Sequence, residues 1–370
     1  MLSTREAQEI LRRFSVEDEI CELHAVKNGL INKTFAVTLS NGEKYLLQDI
    51  NVAVFKNPDE LMTNITGVTG FLREKISACG GNPKTETLCF LPTADGKYYY
   101  RDENNSHWRV CIYIDNTFTY SCVDDPDIMY RAGSCFGKFQ AMLAEYPIDT
   151  LYDTIPDFHN TAKRFAALKK AVEENRSGRA ESCREDIDFA LSYEEDAGRL
   201  VKLTENGKLP VRVTHNDTKI NNVLFDCDTK ETVCVIDLDT VMPGLSLYDF
   251  GDAMRSGAAN IIEDSPEYDK AGIRTDLYEA YVKGYLSSVS AALTENEIKM
   301  LPFSAKLLTY ECGIRFLTDY LDGDVYFGTD YPEHNIVRAR NQFAMVRDIE
   351  RKMPELEKIT ENAYKEAIGK

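Results

Sequence analysis

The sequence predicts an α+β fold of two lobes, in which a small antiparallel sheet is followed by a larger and mainly helical part. Over the first 115 residues, short apolar runs alternate with turn residues, which is typical of antiparallel strands. From about residue 125 onward, apolar residues recur at helical spacing. A chain of 370 residues is long enough to divide in this way. We therefore expect an N-terminal lobe over residues 1–115 and a C-terminal lobe over residues 116–370.

The predicted N-terminal lobe contains two helices and several short strands. An amphipathic helix covers Arg5–Phe14, and a second helix covers Pro58–Lys75, where apolar residues stand at helical spacing. An Asn41-Gly42 pair between apolar runs predicts a hairpin turn. The predicted strands are Leu23–Leu39 with a glycine turn inside it, Lys44–Gln48, Thr87–Pro92, Lys97–Arg101 and Trp108–Ile114.

The predicted C-terminal lobe is a series of helices. Only a polar stretch between residues 213 and 239 interrupts the helical pattern. The predicted helices are Asp127–Ala144, Ala162–Glu174, Cys183–Thr204, Thr275–Leu286, Glu295–Asp322 and Asn335–Lys352.

Composition excludes several classes of function. A net charge of −18 argues against nucleic acid and anionic membranes as partners, because both require basic protein surfaces. No segment has the apolar length that crossing a bilayer needs, and the first residues lack signal-peptide character. The ten cysteines are scattered singly, which favours reduced thiols over disulfides or a zinc site. We expect a cytoplasmic protein that is a monomer or a weak homo-oligomer and acts on a small molecule.

The most informative residues lie in the polar stretch His215-x-Asp217-x-Lys219-x-x-Asn222, which an apolar run ending in Asp237 follows. Phosphoryl transfer needs a carboxylate beside the attacking hydroxyl, oxygen ligands for Mg²⁺ and positive charge on the moving phosphoryl group. Asp217 would accept the proton of the hydroxyl, and Lys219 would reach the γ-phosphate of ATP. Asn222 and Asp237 would hold Mg²⁺ through their side-chain oxygens.

Each of these residues has an ordinary structural alternative. Asp and Asn in loops are usually turn formers that hydrogen-bond their own backbone. The ordered combination is much harder to reach by chance, and it therefore predicts phosphoryl transfer from ATP with Mg²⁺. Asp239 would share the strand face of Asp237 through the two-residue period, which makes it a possible second metal ligand.

Two further segments are candidates for binding the nucleotide. The turn Asn28-Gly29-Leu-Ile-Asn32 stands between two strands and could lay backbone amides over phosphates, although a plain hairpin turn would look the same. The lobe boundary near Tyr113 and Asp115 would be a linker whose backbone hydrogen-bonds an adenine ring.

The chain resembles the aminoglycoside phosphotransferase and choline kinase branch of the protein-kinase-like fold over nearly its whole length, and within it most closely the N-acetylhexosamine 1-kinases. The stretches that carry this resemblance are Arg212–Lys219, Ile236–Gly244, Tyr248–Arg255, Glu311–Leu317, Asp319–Phe327 and Tyr331–Asn335. The resemblance implies a bilobal fold and transfer of phosphate from ATP to the C1 hydroxyl of N-acetylglucosamine or N-acetylgalactosamine.

By the same resemblance, Asp217 matches the catalytic base, and Asn222 and Asp237 match the metal ligands. Arg315 and Tyr326 match positions that hold the sugar. The ordinary alternatives are a helix-surface arginine for Arg315 and a buried aromatic side chain for Tyr326. A further prediction is that Asp249 braces the backbone of the catalytic loop rather than touching a ligand.

Two departures from related kinases leave the acceptor open. Gln48 stands where protein kinases carry the lysine that grips the α- and β-phosphates, so it can donate a hydrogen bond but brings no charge. Leu30 stands where related kinases carry histidine. The alternative functions are a kinase for homoserine, choline, methylthioribose or an aminoglycoside, and a noncatalytic scaffold, although a scaffold would typically have lost the base or a metal ligand.

Overall fold

The computed structural model describes residues 2–26 and 31–369 of the chain. The α-helices are α1 Thr4–Arg13, α2 Pro58–Ala78, α3 Pro126–Met142, α4 Thr161–Glu174, α5 Arg184–Leu191, α6 Glu194–Ala197, α7 Arg199–Glu205, α8 Ser246–Gly257, α9 Thr275–Val289, α10 Glu295–Asp322 and α11 His334–Ala367. The strands are β1 Ile20–Val26, β2 Lys33–Leu39, β3 Lys44–Asp49, β4 Tyr100–Arg101, β5 His107–Ile112, β6 Thr117–Phe118, β7 Arg212–Thr214, β8 Val223–Asp226, β9 Thr232–Val235 and β10 Met242–Gly244. Short 3₁₀ helices cover Ile148–Thr150, Ala180–Cys183, Ile220–Asn222, Leu238–Thr240 and Tyr268–Lys270.

The chain folds into two compact units. The first unit consists of Met1–Thr119, Glu145–Pro156 and Asn222–Pro243, and the second consists of Tyr120–Ala144, Asp157–Asn221 and Gly244–Lys370. The α+β class is confirmed, since the first unit carries the sheet and the second unit is mainly helical. The boundary between residues 115 and 116 stays a prediction about lobes, because the compact first unit also takes in two later segments.

The first unit is built on an antiparallel sheet in the order β1-β2-β3-β5-β4. Helix α1 begins with a capping box in which Ser3 and Glu6 satisfy each other's backbone N–H groups. Its apolar face packs on the sheet and forms one hydrophobic cluster with it. Members of that cluster are Ala7, Ile10, Leu11, Val37, Leu47 and Val110.

The predicted strand Thr87–Pro92 is wrong as a regular strand. It touches β5 through a single bridge between Phe90 and Cys111, flanked by hydrogen bonds from the Leu91 and Ile112 amides. Proline has no N–H to donate and therefore limits a ladder at this end. The predicted helix Pro58–Lys75 is confirmed as α2, which Asn57 caps through its side chain.

The second unit contains the long helices. Helices α3 and α9 approach closely because three glycines stand at the contact. A Cβ on Gly133, Gly137 or Gly284 would lie 2.3, 2.5 or 2.0 Å from a carbonyl oxygen of the other helix. Among the described residues, no helix combines the length and the apolarity that crossing a bilayer requires.

Two helix predictions for the second unit need correction, and one helix was missed. The predicted single helix Cys183–Thr204 is divided into a 3₁₀ turn and helices α5, α6 and α7, with breaks at Ser192 and Gly198. Helix α8 was not predicted at all. Helix α11 continues to Ala367, well beyond the predicted end at Lys352.

Candidate active site

The loop that contains Asp217 follows β7 in the second unit and is braced by Asp249 of α8. The carboxylate of Asp249 accepts hydrogen bonds from the backbone N–H of His215 at 3.0 Å and of Asn216 at 2.7 Å. Gln140 of α3 donates to the same carboxylate at 3.0 Å. Asp249 is buried, so these bonds compensate its desolvation. The predicted bracing role of Asp249 is confirmed.

Asp217 and Lys219 lie together in this loop. The Nζ atom of Lys219 is 2.8 Å from Oδ1 of Asp217. Burial would lower the pKa of Lys219, but the charges of Asp217 and Asp252 outweigh it and raise that pKa. Lys219 is therefore protonated. Its charge orients the carboxylate of Asp217, which is half-buried.

A second support of the loop comes from His159, which sequence reasoning missed. Its Nε2 atom lies 2.9 Å from the carbonyl oxygen of Asn216, and its Nδ1 atom lies 2.8 Å from Oε1 of Glu311 on α10. Thr161 donates to the other oxygen of Glu311 at 2.5 Å. Asn216 has a positive φ of 65°. The loop therefore holds a left-handed residue directly before Asp217 and needs fixed partners there.

The predicted sugar-binding residues belong to the second unit. Arg315 of α10 is half-buried and places its guanidinium 5.5 Å from the ring centroid of Phe327. Tyr326 is 72% exposed, so the alternative of a buried aromatic side chain is wrong. Its loop is held by Asp319, whose carboxylate accepts from the N–H groups of Tyr326 at 2.8 Å and Phe327 at 3.0 Å.

Arg164 of α4 is a further cation near these residues. It donates to the Phe158 carbonyl at 3.1 Å, while its buried Nε atom has no hydrogen-bond partner in the described part of the chain. Burial and then the neighbouring charge of Arg315 lower the pKa of Arg164. A buried donor without a partner and two neighbouring guanidinium groups favour a ligand with acceptor oxygens.

The predicted metal ligands belong to the first unit. Strands β8 and β9 pair as a hairpin, with Val223 opposite Val235. Asn222 precedes that pair, and its carbonyl accepts from the Ile236 N–H at 2.9 Å. Asp237 comes one residue after Ile236, beyond the end of the strand, and is exposed, with left-handed φ and ψ of 59° and 57°. An amide oxygen and a carboxylate at one end of a hairpin fit a hard cation such as Mg²⁺.

The structure removes the reason for interpreting Asp239 as a second metal ligand. The strand ends before Asp237, so the two-residue period that related the two aspartates does not apply. Asp239 is buried, with Oδ1 at 2.6 Å from Nη1 of Arg109 and Oδ2 at 2.5 Å from Nδ2 of Asn32. Both oxygens are already engaged in an ion pair and a hydrogen bond.

Gln48 lies beside the same arginine. In the sheet register it is directly opposite Arg109 of β5, whose Nε donates to the Gln48 carboxamide oxygen at 2.9 Å. The Gln48 amide group donates to Thr34 at 3.1 Å. The cation of this sheet region therefore stands on β5, one strand away from the β3 lysine position of protein kinases. This exchange could not be predicted, because Gln48 and Arg109 are far apart along the chain.

The predicted nucleotide contacts are described in part. Asn28 and Gly29, together with Leu30, lie outside the described residues. Asn32 accepts from the backbone N–H of Asn51 at 2.9 Å in addition to its bond with Asp239. In the linker, the Tyr113 N–H donates to the Lys44 carbonyl at 3.0 Å, and the exposed Asp115 carboxylate lies 2.7 Å from Nζ of Lys44.

A model of the phosphotransferase enzyme family, APH, matches residues 22–286 of the chain. That match covers more than half of the sequence. The chain belongs to this family. It is an ATP-dependent small-molecule phosphotransferase with the kinase-like fold of the family.

Solved structures support the same fold for this phosphotransferase. An aminoglycoside phosphotransferase from Alicyclobacillus acidocaldarius superposes with a TM-score of 0.58 at 12% identity, covering 96% of both chains. An amicoumacin kinase in complex with AMP-PNP, Ca²⁺ and Ami gives 0.57 at 13% identity, covering 87% of both chains. An ethanolamine kinase from Plasmodium vivax gives 0.55 at 14% identity, covering 87% of this chain and 81% of that one. At these identities the likeness concerns the fold.

Proposed function

We propose that this phosphotransferase uses ATP and Mg²⁺ to phosphorylate the C1 hydroxyl of an N-acetylhexosamine. The observation that carries the acceptor proposal is the pair Arg315 and Tyr326, a cation and an exposed aromatic side chain in the unit that holds Asp217. Guanidinium groups donate hydrogen bonds to carbonyl and hydroxyl oxygens, and exposed aromatic rings pack on sugar faces. A cationic acceptor such as choline would instead be repelled by Arg315 and Arg164.

The catalytic roles follow from the chemistry of each group. Asp217 accepts the proton of the attacking hydroxyl, and Lys219 exchanges its contact with Asp217 for the transferred phosphoryl group. Asn222 and Asp237 would hold Mg²⁺, which would neutralise charge on the phosphate oxygens when bound. Asp217 takes the proton of the sugar hydroxyl, while the γ-phosphoryl group passes from ATP to the sugar oxygen. The bond between the β- and γ-phosphates breaks and ADP leaves.

The nucleotide contacts complete the proposal. The carbonyl of Tyr113 and the N–H of Asp115 are assigned to the adenine edge, because the N–H of Tyr113 is already donated to Lys44. The segment that contains Asn28, Gly29 and Asn32 is assigned to the phosphates. Gln48 contributes as a neutral partner that keeps Arg109 in place.

The decisive experiment incubates the protein with ATP, Mg²⁺ and a panel of acceptors. The panel contains N-acetylglucosamine, N-acetylgalactosamine, glucose, methylthioribose, homoserine, choline and an aminoglycoside. We expect ADP release with the two N-acetylhexosamines and a product that loses phosphate in mild acid, since anomeric phosphates are acid-labile. ADP release confined to glucose, methylthioribose, choline, homoserine or the aminoglycoside, or an acid-stable product, would show that the acceptor is of another class. The Asp217→Ala variant measures the background.

A further inference from the structure

His159 is placed so that its two ring nitrogens both face hydrogen-bond acceptors. Nε2 faces the carbonyl oxygen of Asn216, which can only accept, and Nδ1 faces a carboxylate oxygen of Glu311. A neutral imidazole carries one N–H and can satisfy only one such partner as a donor. The arrangement therefore fits an imidazolium ion with both nitrogens protonated.

The surroundings of His159 support that charge. The ring is buried, and so is Glu311 on α10. Burial would lower the pKa of His159, but the charge and hydrogen bond of Glu311 outweigh it and raise that pKa. Burial would likewise raise the pKa of Glu311, but His159 and Thr161 lower it. The pair is thus a buried ion pair with an additional hydroxyl donor.

Three groups on the other elements surround the pair, namely one carboxylate, one neutral phenol and one guanidinium. On α8, Asp252 faces His159 and raises its pKa further, while its own charge is shared with Arg255 at 2.8 Å. Tyr248 of α8 lies with its ring centroid 5.4 Å from that of His159 and is held in its neutral form, since burial raises the pKa of Tyr248. The positive charge of Arg315 acts on Glu311 and helps to lower the pKa of that carboxyl group.

The peptide group between Asn216 and Asp217 is what His159 holds. Its carbonyl accepts from His159, and its N–H, which belongs to Asp217, donates to Nδ1 of His215 at 3.2 Å. His215 is fully buried, with its ring edge-on to Phe136. Both ends of one peptide plane are therefore fixed by histidine rings, and this plane sets the position of the Asp217 side chain.

We propose that His159 acts as an imidazolium positioning residue, which fixes the peptide group before Asp217 and slows phosphoryl transfer when it loses its proton. This inference rests on the proposed role of Asp217 as the catalytic base. Without the second proton, one of the two acceptors loses its donor. The carbonyl of Asn216 can then rotate, because its positive φ of 65° is a conformation that needs external support.

The first test measures protonation and needs no activity. In the full chain with ¹⁵N-labelled histidine, both ring nitrogens of His159 should show N–H signals at about pH 7.5, where an ordinary histidine has lost its second proton. The His159→Gln variant assigns the signals, and the exposed His24 serves as reference. A neutral His159 at that pH would overturn the proposal, whatever the protein phosphorylates.

The second test measures positioning. We expect the Asp217 amide resonance and kcat to change at the same high pH at which His159 loses its proton. The Glu311→Gln variant should shift both changes to lower pH, because it removes the charge that holds the proton. His159→Gln keeps an N–H donor without a titration and should lose this alkaline limb, while His159→Ala should lower kcat by about 10- to 100-fold.

The matched control is His24→Gln. In this variant the alkaline limb of the pH dependence of kcat should stay at the pH at which the wild type shows it. If His159 loses its proton and neither the Asp217 amide resonance nor kcat changes, the positioning role is also overturned. If no acceptor supports turnover, the proposed function fails, and the amide resonance of Asp217 alone then decides the inference.

Discussion

Asp217 lies half-buried at 2.8 Å from the cationic Lys219, in a loop whose backbone is fixed on both sides. A general base of this kind contributes about 10²–10⁴-fold to a reaction rate. We expect Asp217→Asn to lower kcat by about that factor and to leave the affinity for ATP near that of the wild type. Steady-state kinetics with a nucleotide-binding measurement checks this.

The control for that variant is Asp149→Asn, at an exposed position in the 3₁₀ helix of the first unit. It should behave as the wild type in both measurements. Near-normal turnover by Asp217→Asn would remove Asp217 from the role of base.

Arg109 and Asp239 form a buried ion pair that ties β5 to the segment after Asp237. Removing one partner of a buried pair typically costs about 3–5 kcal/mol, because the other charge stays buried and unpaired. Arg109→Met should lower the free energy of unfolding by about that amount. The double variant Arg109→Met with Asp239→Leu should recover most of it, as urea denaturation of both would show.

If the loss of unfolding free energy in the double variant equals the sum of the losses in the two single variants, Arg109 and Asp239 are not energetically coupled. Gln48→Leu is a useful comparison, since it removes a neutral partner of Arg109 and should cost about 1–3 kcal/mol, the desolvation of one unsatisfied donor.

The residues of the motif that begins at His215 could be predicted from the sequence because they are close together along the chain, in one loop and the hairpin that follows it. Asp217, Lys219 and Asn222 fall within six positions of one another. His159 and Glu311 could not be found this way, since they are 152 positions apart and meet only when α10 packs beside α4. Asp239 was misjudged because a strand period was extended past the end of the strand.

At the scale of secondary structure, strong amphipathic periodicity predicted helices correctly, whereas a glycine in the sequence did not always mark the end of a helix. The predicted helix Glu295–Asp322 coincides with α10, which has a capping box at its start and Gly323 after its end. Helix α8 escaped prediction because it contains Gly251, which reads as a breaker. A Cβ on Gly251 would lie 2.5 Å from the Ser304 carbonyl, so the glycine is required by close packing against α10.

The contact between α3 and α9 makes a testable prediction at this scale. Gly284→Ala places a Cβ at 2.0 Å from the Tyr130 carbonyl, which real structures avoid, so the helices must separate. We expect a loss of about 1–3 kcal/mol in the free energy of unfolding. Gly70→Ala is the matched control, because a Cβ there meets nothing within 4 Å inside helix α2.

Gly70→Ala should stabilise the protein by about 0.5–1 kcal/mol, since alanine loses less backbone entropy in a helix than glycine. Equal effects of the two substitutions would show that helix propensity and not the helix contact governs both positions. Thermal and urea unfolding of the two variants give the comparison.

For the whole molecule, the sequence predicted the α+β class, since hydrophobic periodicity switches from the strand to the helix period along the chain. It could not predict that the segments 145–156 and 222–243 join the first compact unit. These segments join the first unit through contacts with residues that are far away in the sequence. Asn64 of α2 shows how, because its side chain donates to the carbonyls of Tyr152 at 2.8 Å and Val241 at 2.9 Å.

Ligand binding should stabilise the whole protein. A ligand at a hundred times its Kd adds about 2.7 kcal/mol to the free energy of unfolding. We expect ATP with Mg²⁺ to raise Tm more than ATP alone, because the phosphates meet a chain of net charge −18 and need the metal. Asp237→Asn should remove most of the Mg²⁺-dependent part of the shift, whereas Asp149→Asn should keep it. An undiminished shift in Asp237→Asn would assign the metal to other ligands.

The loop after α10 has a consequence for engineering. The N–H groups of Val325, Tyr326 and Phe327 all donate to the single carboxylate of Asp319, at 2.8–3.0 Å. The path of the loop is therefore encoded at position 319, while the side chains at 325 and 326 are 76% and 72% exposed. A library randomised at those two positions should keep its folded yield and offer a range of acceptor preferences to selection.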